Sequence, residues 1–132
     1  MQVELRNEII FKAPTRVGLL ADVTAALAEK NVNLLAIGAY DKGDLGEFLM
    51  ITSNNRAAFE ALGEIGGEMD LVPVVVVTVA NEPGALASVA RKIADAGLNI
   101  SQIHATTTDA GSAMVVLRSD DEAHVAELLA EE

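Results

Sequence analysis

The chain has 132 residues and a formal net charge of −11; 51% of the residues are hydrophobic, 22% charged and only 3% aromatic. That length holds one ordinary domain or two very small ones, and the balance is that of a globular chain whose core is built from Val, Ile, Leu and Ala. The absence of cysteine excludes a disulfide framework, a thiolate zinc site, an iron–sulfur cluster and a cysteine nucleophile, and the acidic balance argues against nucleic acid and anionic lipid, which need clustered Lys and Arg.

The opening Met1-Gln-Val-Glu-Leu-Arg6 has no charged region followed by an apolar run and does not read as a signal peptide. No apolar run approaches the roughly 20 residues that span a bilayer, so a cytoplasmic location is expected. Within Gln2–Asn7, Val3 and Leu5 alternate with polar residues, as in a strand. Ile9–Ala13 reads as a strand, and Pro14-Thr-Arg-Val-Gly18 breaks it. Leu20, Val23, Leu27 and Ala28 recur at helical spacing. Strand Asn33–Tyr40 turns at Asp41-Lys-Gly43 into strand Glu47–Thr52. A capped helix follows from Asn54 to about Leu62, and Glu68–Val72 offers a fourth strand.

Pro73–Val79 holds five valines and a threonine, which favour strand; the proline is expected to open this strand and not to sit inside one. Val74–Val77 does not alternate, which predicts burial of both faces, one by helices and the other by a second sheet or subunit. Asn81-Glu-Pro-Gly84 is a break with helix-start chemistry. Leu86, Val89, Ala90, Ile93 and Ala94 form a helical stripe ended by Gly97. Asn99–Thr108 reads as a strand, Asp109-Ala-Gly111 as a turn and Ser112–Leu117 as the return strand. Ser119 and Asp120 can cap a last helix carrying Ala123, Val125, Leu128 and Leu129. Asp120-Asp-Glu122 reads as a helix start and Glu131-Glu132 as a solvated tail.

The two halves match. A shift of 66 positions places Gly18 on Gly84, Leu20 on Leu86, Val23 on Val89, Asn33 on Asn99 and Ile37 on Ile103. It also places Ser53 on Ser119, Ala57 on Ala123 and Leu62 on Leu128, with no gap. This is a tandem duplication. Each repeat reads β-α-β-β-α with a further strand expected, which is the split βαβ order. The expected fold is α+β, an α/β sandwich of two tandem ferredoxin-like βαββαβ repeats over residues 1–70 and 71–132, with antiparallel sheets and helices on one face. Repeats of about 65 residues are marginal alone, which favours packing together. The second repeat stops after its last helix and lacks a C-terminal strand of its own. Gln2–Asn7 is the first candidate to supply it, ahead of Glu68–Val79 or a partner chain.

Gly18 and Gly84 each stand between a strand and a helix. The unpaired N–H groups of a helix start carry partial positive charge and can hold a carboxylate, and a glycine lets it approach; a plain tight turn also wants a small residue. Asn33 and Asn99 each open the strand after that helix. An Asn side chain both donates and accepts and could bind an amino acid's charged groups; a turn or cap role is equally open. His104 and His124, the only histidines, make a weak metal case without Cys, though His104 could line a pocket. No nucleophile elbow, Walker loop or Gly-x-Gly-x-x-Gly is present. No catalytic residue, metal site or cofactor is therefore expected.

Asn81-Glu-Pro-Gly-Ala-Leu86, followed by a helix and Gly97-Leu-Asn-Ile100, resembles the ACT domain, whose pattern is a D/N-x-P-G-x-L break, a helix and a G-x-N-I strand start. The first repeat is similar but looser, with Gly18, Leu20 and Val32-Asn-Leu34 kept and Thr15-Arg16-Val17 where Asn-Glu-Pro is expected. The resemblance spans about Glu8 to Glu131. It implies regulatory binding of a small molecule, most often an amino acid, at the seam between paired domains. Carried over by position, it implies contacts from Asn81, Gly84, Ala85, Leu86 and Asn99, and from Thr15, Gly18, Leu19, Leu20 and Asn33. The all-apolar strand and the small, incomplete domains favour a homodimer; the alternative to ligand binding is a subunit that controls a partner enzyme without binding a ligand. An acyl-phosphate hydrolase on the same scaffold would want an Arg-bearing anion loop; Arg16 is the loose candidate, and its counterpart is Glu82.

Overall fold

Two strands are longer than the sequence pattern suggests. In the computed structural model, which describes residues 1–107 and 110–130, β1 runs unbroken from Gln2 to Pro14 and β4 from Glu68 to Ala80. Between them lie α1 (Leu19–Glu29), β2 (Leu34–Lys42), β3 (Leu45–Thr52) and α2 (Asn55–Gly63). After β4 come α3 (Ala85–Asp95), β5 (Ile100–Thr107), β6 (Ser112–Ser119) and α4 (Glu122–Ala130). The strand end expected at Thr108, the turn residue Asp109 and the acidic pair Glu131-Glu132 lie outside the described residues.

The chain forms two compact units that do not follow the 1–70 and 71–132 spans. One is Asn7–Val72; the other joins Met1–Arg6 to Pro73–Glu132. In the first unit the strand order is β2-β3-β1, with the opening half of β4 beside β1. In the second it is β5-β6-β4, with the opening of β1 beside β4. The N-terminal stretch thus supplies the strand that the second repeat lacks. The β1–β3, β2–β3, β4–β6 and β5–β6 pairs are antiparallel.

Pro73 is placed differently from the expectation. It sits inside β4, solvent-exposed, where the strand leaves one unit for the other. Its counterpart Asn7 stands at the same changeover in β1 and is also exposed. A proline costs a strand one ladder donor, and an exposed changeover is where that loss matters least.

Within each unit the helices cover one sheet face. Ile9, Phe11 and Ala13 of β1 and Phe48 and Met50 of β3 pack against α1 through Val23 and Leu27, and against α2 through Ala58 and Leu62. Phe11 and Phe48 meet in a tilted ring pair with centroids 5.9 Å apart. Val75, Val77, Val115 and Leu117 pack likewise against Val89 and Ile93 of α3 and Val125 and Leu129 of α4. Val3, from the start of β1, packs on this second core, and Met69, from the start of β4, on the first. Val74 and Val76, on the strand face opposite Val75 and Val77, are buried too, as the unbroken valine run predicts. No helix of the described residues is long and apolar enough to cross a membrane.

The duplication holds at a shift of 66 only up to the second hairpin. The burial patterns of β1 and β4 agree position for position at that shift. Beyond it, Leu45 of β3 corresponds to Ser112 of β6, and Asn55 of α2 to Glu122 of α4, a shift of 67. Hydrogen bonds confirm the slip: Asn54 Oδ1 accepts from the Ala57 N–H, and Asp121 Oδ1 from the His124 N–H, both at 3.1 Å. The gapless pairing of Ser53, Ala57 and Leu62 is therefore corrected to Asp120, His124 and Leu129. The extra residue falls between β5 and β6, outside both strands. The cap of α4 moves with it, to Asp121.

Candidate functional site

Helices α1 and α3 start without a side-chain cap, each on a glycine in left-handed conformation, Gly18 at φ 89° and Gly84 at φ 87°. Only glycine takes that backbone without strain. The first-turn amides such as those of Leu20 and Leu86 have no partner inside the helix. Each break is also tied to the neighbouring hairpin: the Thr15 N–H donates to the Asp44 carbonyl at 2.8 Å, and the Asn81 N–H to the Gly111 carbonyl at 3.1 Å.

This arrangement leaves a hollow between the helix start and the far end of the next strand. In the first repeat it measures about 350 Å³, with Thr15, Arg16, Gly18, Leu19 and Leu20 on one side. Ala39, Tyr40 and Asp41 of β2 form the other side. In the second repeat it measures about 210 Å³, between Asn81, Glu82, Ala85 and Leu86 and the β5 residues Ala105, Thr106 and Thr107. Apart from Gly18, the residues named for the first hollow have their counterparts at the second.

Their chemistry differs. In the first, the Thr15 hydroxyl donates to Asp41 Oδ1 at 2.8 Å, and Arg16 Nη2 lies 2.6 Å from Asp22 Oδ2 in the first turn of α1. In the second, Glu82 stands in the place of Arg16, Thr107 in that of Asp41 and Ser88 in that of Asp22. The walls trade volume: a Cβ on Gly46 would come within 2.8 Å of Leu19 Cδ2, and the second repeat has Ala113 facing Ala85 instead. A wider cavity of about 560 Å³ opens on the other flank of the α3 start, bordered by Gln2, Thr78, Gly84, Ser88 and Ser112.

Tyr40 lies directly across from Glu47 on β3, and its hydroxyl donates to Glu47 Oε1 at 3.1 Å. Partial burial, then the hydrogen bond and negative charge of Glu47, raise the phenol above its ordinary value of 10.0.

Of the expected contacts, Thr15, Gly18, Leu19 and Leu20 gather at the first hollow, and Asn81, Ala85 and Leu86 at the second. Gly84 borders the wider cavity. Asn33 and Asn99 do not join them. Each stands just before its strand, at the end away from the hollow, and seven residues of strand span roughly 20 Å. There the Asn33 N–H donates to Ser53 Oγ at 2.8 Å and the Asn99 N–H to Asp120 Oδ1 at 3.2 Å, joining the strand start to the following helix. His104 lies opposite Val116, on the sheet face turned from the helix core, and borders neither hollow. His124 is exposed on α4. Among the described residues no group of His, Asp and Glu is set to hold a metal. Tyr40, Asp41, Thr106 and Thr107 lie outside the expected set, because a strand explains Tyr40, Thr106 and Thr107 locally and a hairpin turn explains Asp41. Laying the halves side by side would have marked Arg16/Glu82 and Asp41/Thr107 as changes of charge at matched positions.

A family model described as ACT domain matches residues 7–65 and again residues 73–131. Among solved structures, the chain is similar to a protein from Bacteroides thetaiotaomicron, at 27% identity and a TM-score of 0.89 over 98% of this chain and 89% of that one. It is also similar to the regulatory subunit of aspartate kinase from Thermus flavus, at 26% identity and a TM-score of 0.65 over 97% and 92%. The fold is shared with the ligand-free regulatory subunit of aspartate kinase from Thermus thermophilus, at 22% identity and a TM-score of 0.72 over 98% and 95%. No curated protein matches the chain.

Proposed function

Because the chain belongs to the ACT domain family through both of its repeats, we propose that it is a non-catalytic regulatory protein of the cytoplasm that binds an amino acid or similar small ligand. The supporting observation is the hollow beside an uncapped helix start, formed twice at matched positions. Open first-turn amides suit a carboxylate, and the apolar walls suit a side chain. The candidate ligand contacts are drawn from Thr15, Gly18, Leu19, Leu20 and Asn33 in one repeat and from Asn81, Gly84, Ala85, Leu86 and Asn99 in the other.

The placement of the asparagines bears on assembly. One small ligand does not reach both Gly18 and Asn33 along the same strand. It reaches both only when the Asn comes from a neighbouring domain whose edge strand runs the opposite way. A homodimer provides that seam. Ile37 and Ile103, each about 40% exposed (40% and 41%) on the edge strands β2 and β5, are the apolar side chains it would cover.

The test is a thermal-shift screen against the standard amino acids, followed by calorimetry. A ligand at about a hundred times its Kd stabilises the fold by about 2.7 kcal/mol, which is several degrees at this size. One amino acid shifting the melt is the expected result; no shift with any overturns the reading. The likeness to the Thermus flavus regulatory subunit favours a second reading, a subunit that modulates an enzyme of amino-acid metabolism without binding a ligand itself. Stoichiometric co-purification of a catalytic subunit, with no amino-acid response, supports that one.

A further inference from the structure

The two hollows occupy the same place in their repeats and carry different charges. We infer that they are not interchangeable: the first holds the charged head of an α-amino acid and the second does not, so that each chain takes one ligand. This rests on the amino-acid reading above and assigns its site.

An amino-acid head needs a donor of positive character for its carboxylate and an anion for its ammonium. The first hollow has both. Arg16 stands at its rim, half-exposed and pinned by Asp22 at 2.6 Å. A guanidinium has five N–H donors in a fixed fork, so one contact to Asp22 holds it over the helix start and leaves donors for a carboxylate. Asp41 faces it across the hollow from the end of β2, fixed through one oxygen by the Thr15 hydroxyl at 2.8 Å. Leu19, Leu20, Ala39 and Phe48 give the apolar floor for a side chain.

The second hollow reverses this. Glu82 takes the position of the cation, so a carboxylate approaching the start of α3 meets a like charge. Thr107 takes the position of the anion, so among the described residues the β5 side of the hollow offers an ammonium a hydroxyl in place of a carboxylate. Among the described residues no Lys or Arg borders this hollow, and it is smaller, about 210 Å³ against 350 Å³. The repeat that carries the fuller Asn81-Glu-Pro-Gly84 motif is thus the one less suited to the ligand's head.

The experiment screens the full-length chain and four variants, Arg16→Gln, Asp41→Asn, Glu82→Gln and Thr107→Ala, by thermal shift and calorimetry against each standard amino acid. Any amino acid that binds the unmodified chain is then tested as its carboxamide as well. The expected result is one molecule bound per chain. Arg16→Gln and Asp41→Asn each weaken it about 10- to 100-fold, the scale of a lost charge-assisted contact; Glu82→Gln and Thr107→Ala change it less than about threefold. Arg16→Gln also removes the preference for the carboxylate over the carboxamide, which a merely structural change would leave in place. Two equivalent molecules per chain overturn the inference, as does loss of binding in the Glu82 and Thr107 variants with none in the other two. An unmodified chain that binds no amino acid overturns the functional reading itself and the inference with it.

Discussion

Tyr40 is the one tyrosine of a chain without tryptophan, so its ionisation can be read without interference. Its raised phenol means that the fold favours the protonated ring. That contribution to stability is present below the unfolded value near 10 and is lost as pH rises through the folded one. Ultraviolet titration of phenolate absorbance should give a midpoint above 10, and Glu47→Gln should bring it part of the way back, since burial remains as the first cause. An unchanged midpoint in that variant would remove Glu47 from the account. The site was unevenly legible at this scale. Gly18 and Gly84 stood out because a strand-to-helix break gives a glycine a backbone reason to be there. Asp41 did not, because a turn gives an aspartate the same excuse whether or not it faces a ligand. Asn33 and Asn99 stood out by their repetition, yet their N–H groups join strand to helix, a role that repetition preserves equally well.

At the scale of elements, the second helix of each repeat is held by a different cap from the first. Asn54 and Asp121 accept from the amide three residues on, and at the start of α4 the Ser119 N–H also donates to Glu122 Oε2 at 2.8 Å. Asp121→Ala should cost about 1 kcal/mol in chemical denaturation, and Asp121→Asn much less, because the amide oxygen still accepts. Equal losses would mean that charge, rather than the cap bond, holds the helix start. Strand and helix order was legible throughout, since valine runs and the Leu86-Val89-Ile93 stripe have unmistakable periods. The register of the last helix was not. Alanines and leucines recur so closely there that Leu62 pairs with Leu128 or Leu129 with equal credit, and only the hydrogen bonds decide.

For the whole molecule, the decisive feature is where the chain changes unit. Val3 packs on the core that holds Val75 and Ile93, although both lie far along the sequence from it. Removing residues 1–6 should therefore raise amide exchange more across Pro73–Glu132 than across Asn7–Val72, as mass spectrometry of the two regions would register. A loss confined to Asn7–Val72 would contradict the assignment of units. The missing strand was legible as an absence, and the alternation of Val3 and Leu5 pointed to its replacement. That the two pieces of β1 and of β4 are each continuous was not legible, because Asn7 and Pro73 punctuate the pattern as if the strands ended there.

The same exchange sets an order on synthesis. Asn7–Val72 has all its strands once residue 72 has left the ribosome, and it can close while the rest is still being made. Residues that emerge early are then among the last to find a partner: Met1–Arg6 wait as an unpaired strand segment for β4 to be completed beyond Pro73. During that interval the nascent chain carries an open pairing edge, guarded by Glu4 and Arg6, two charges that deter a stranger from docking before the chain's own strand arrives.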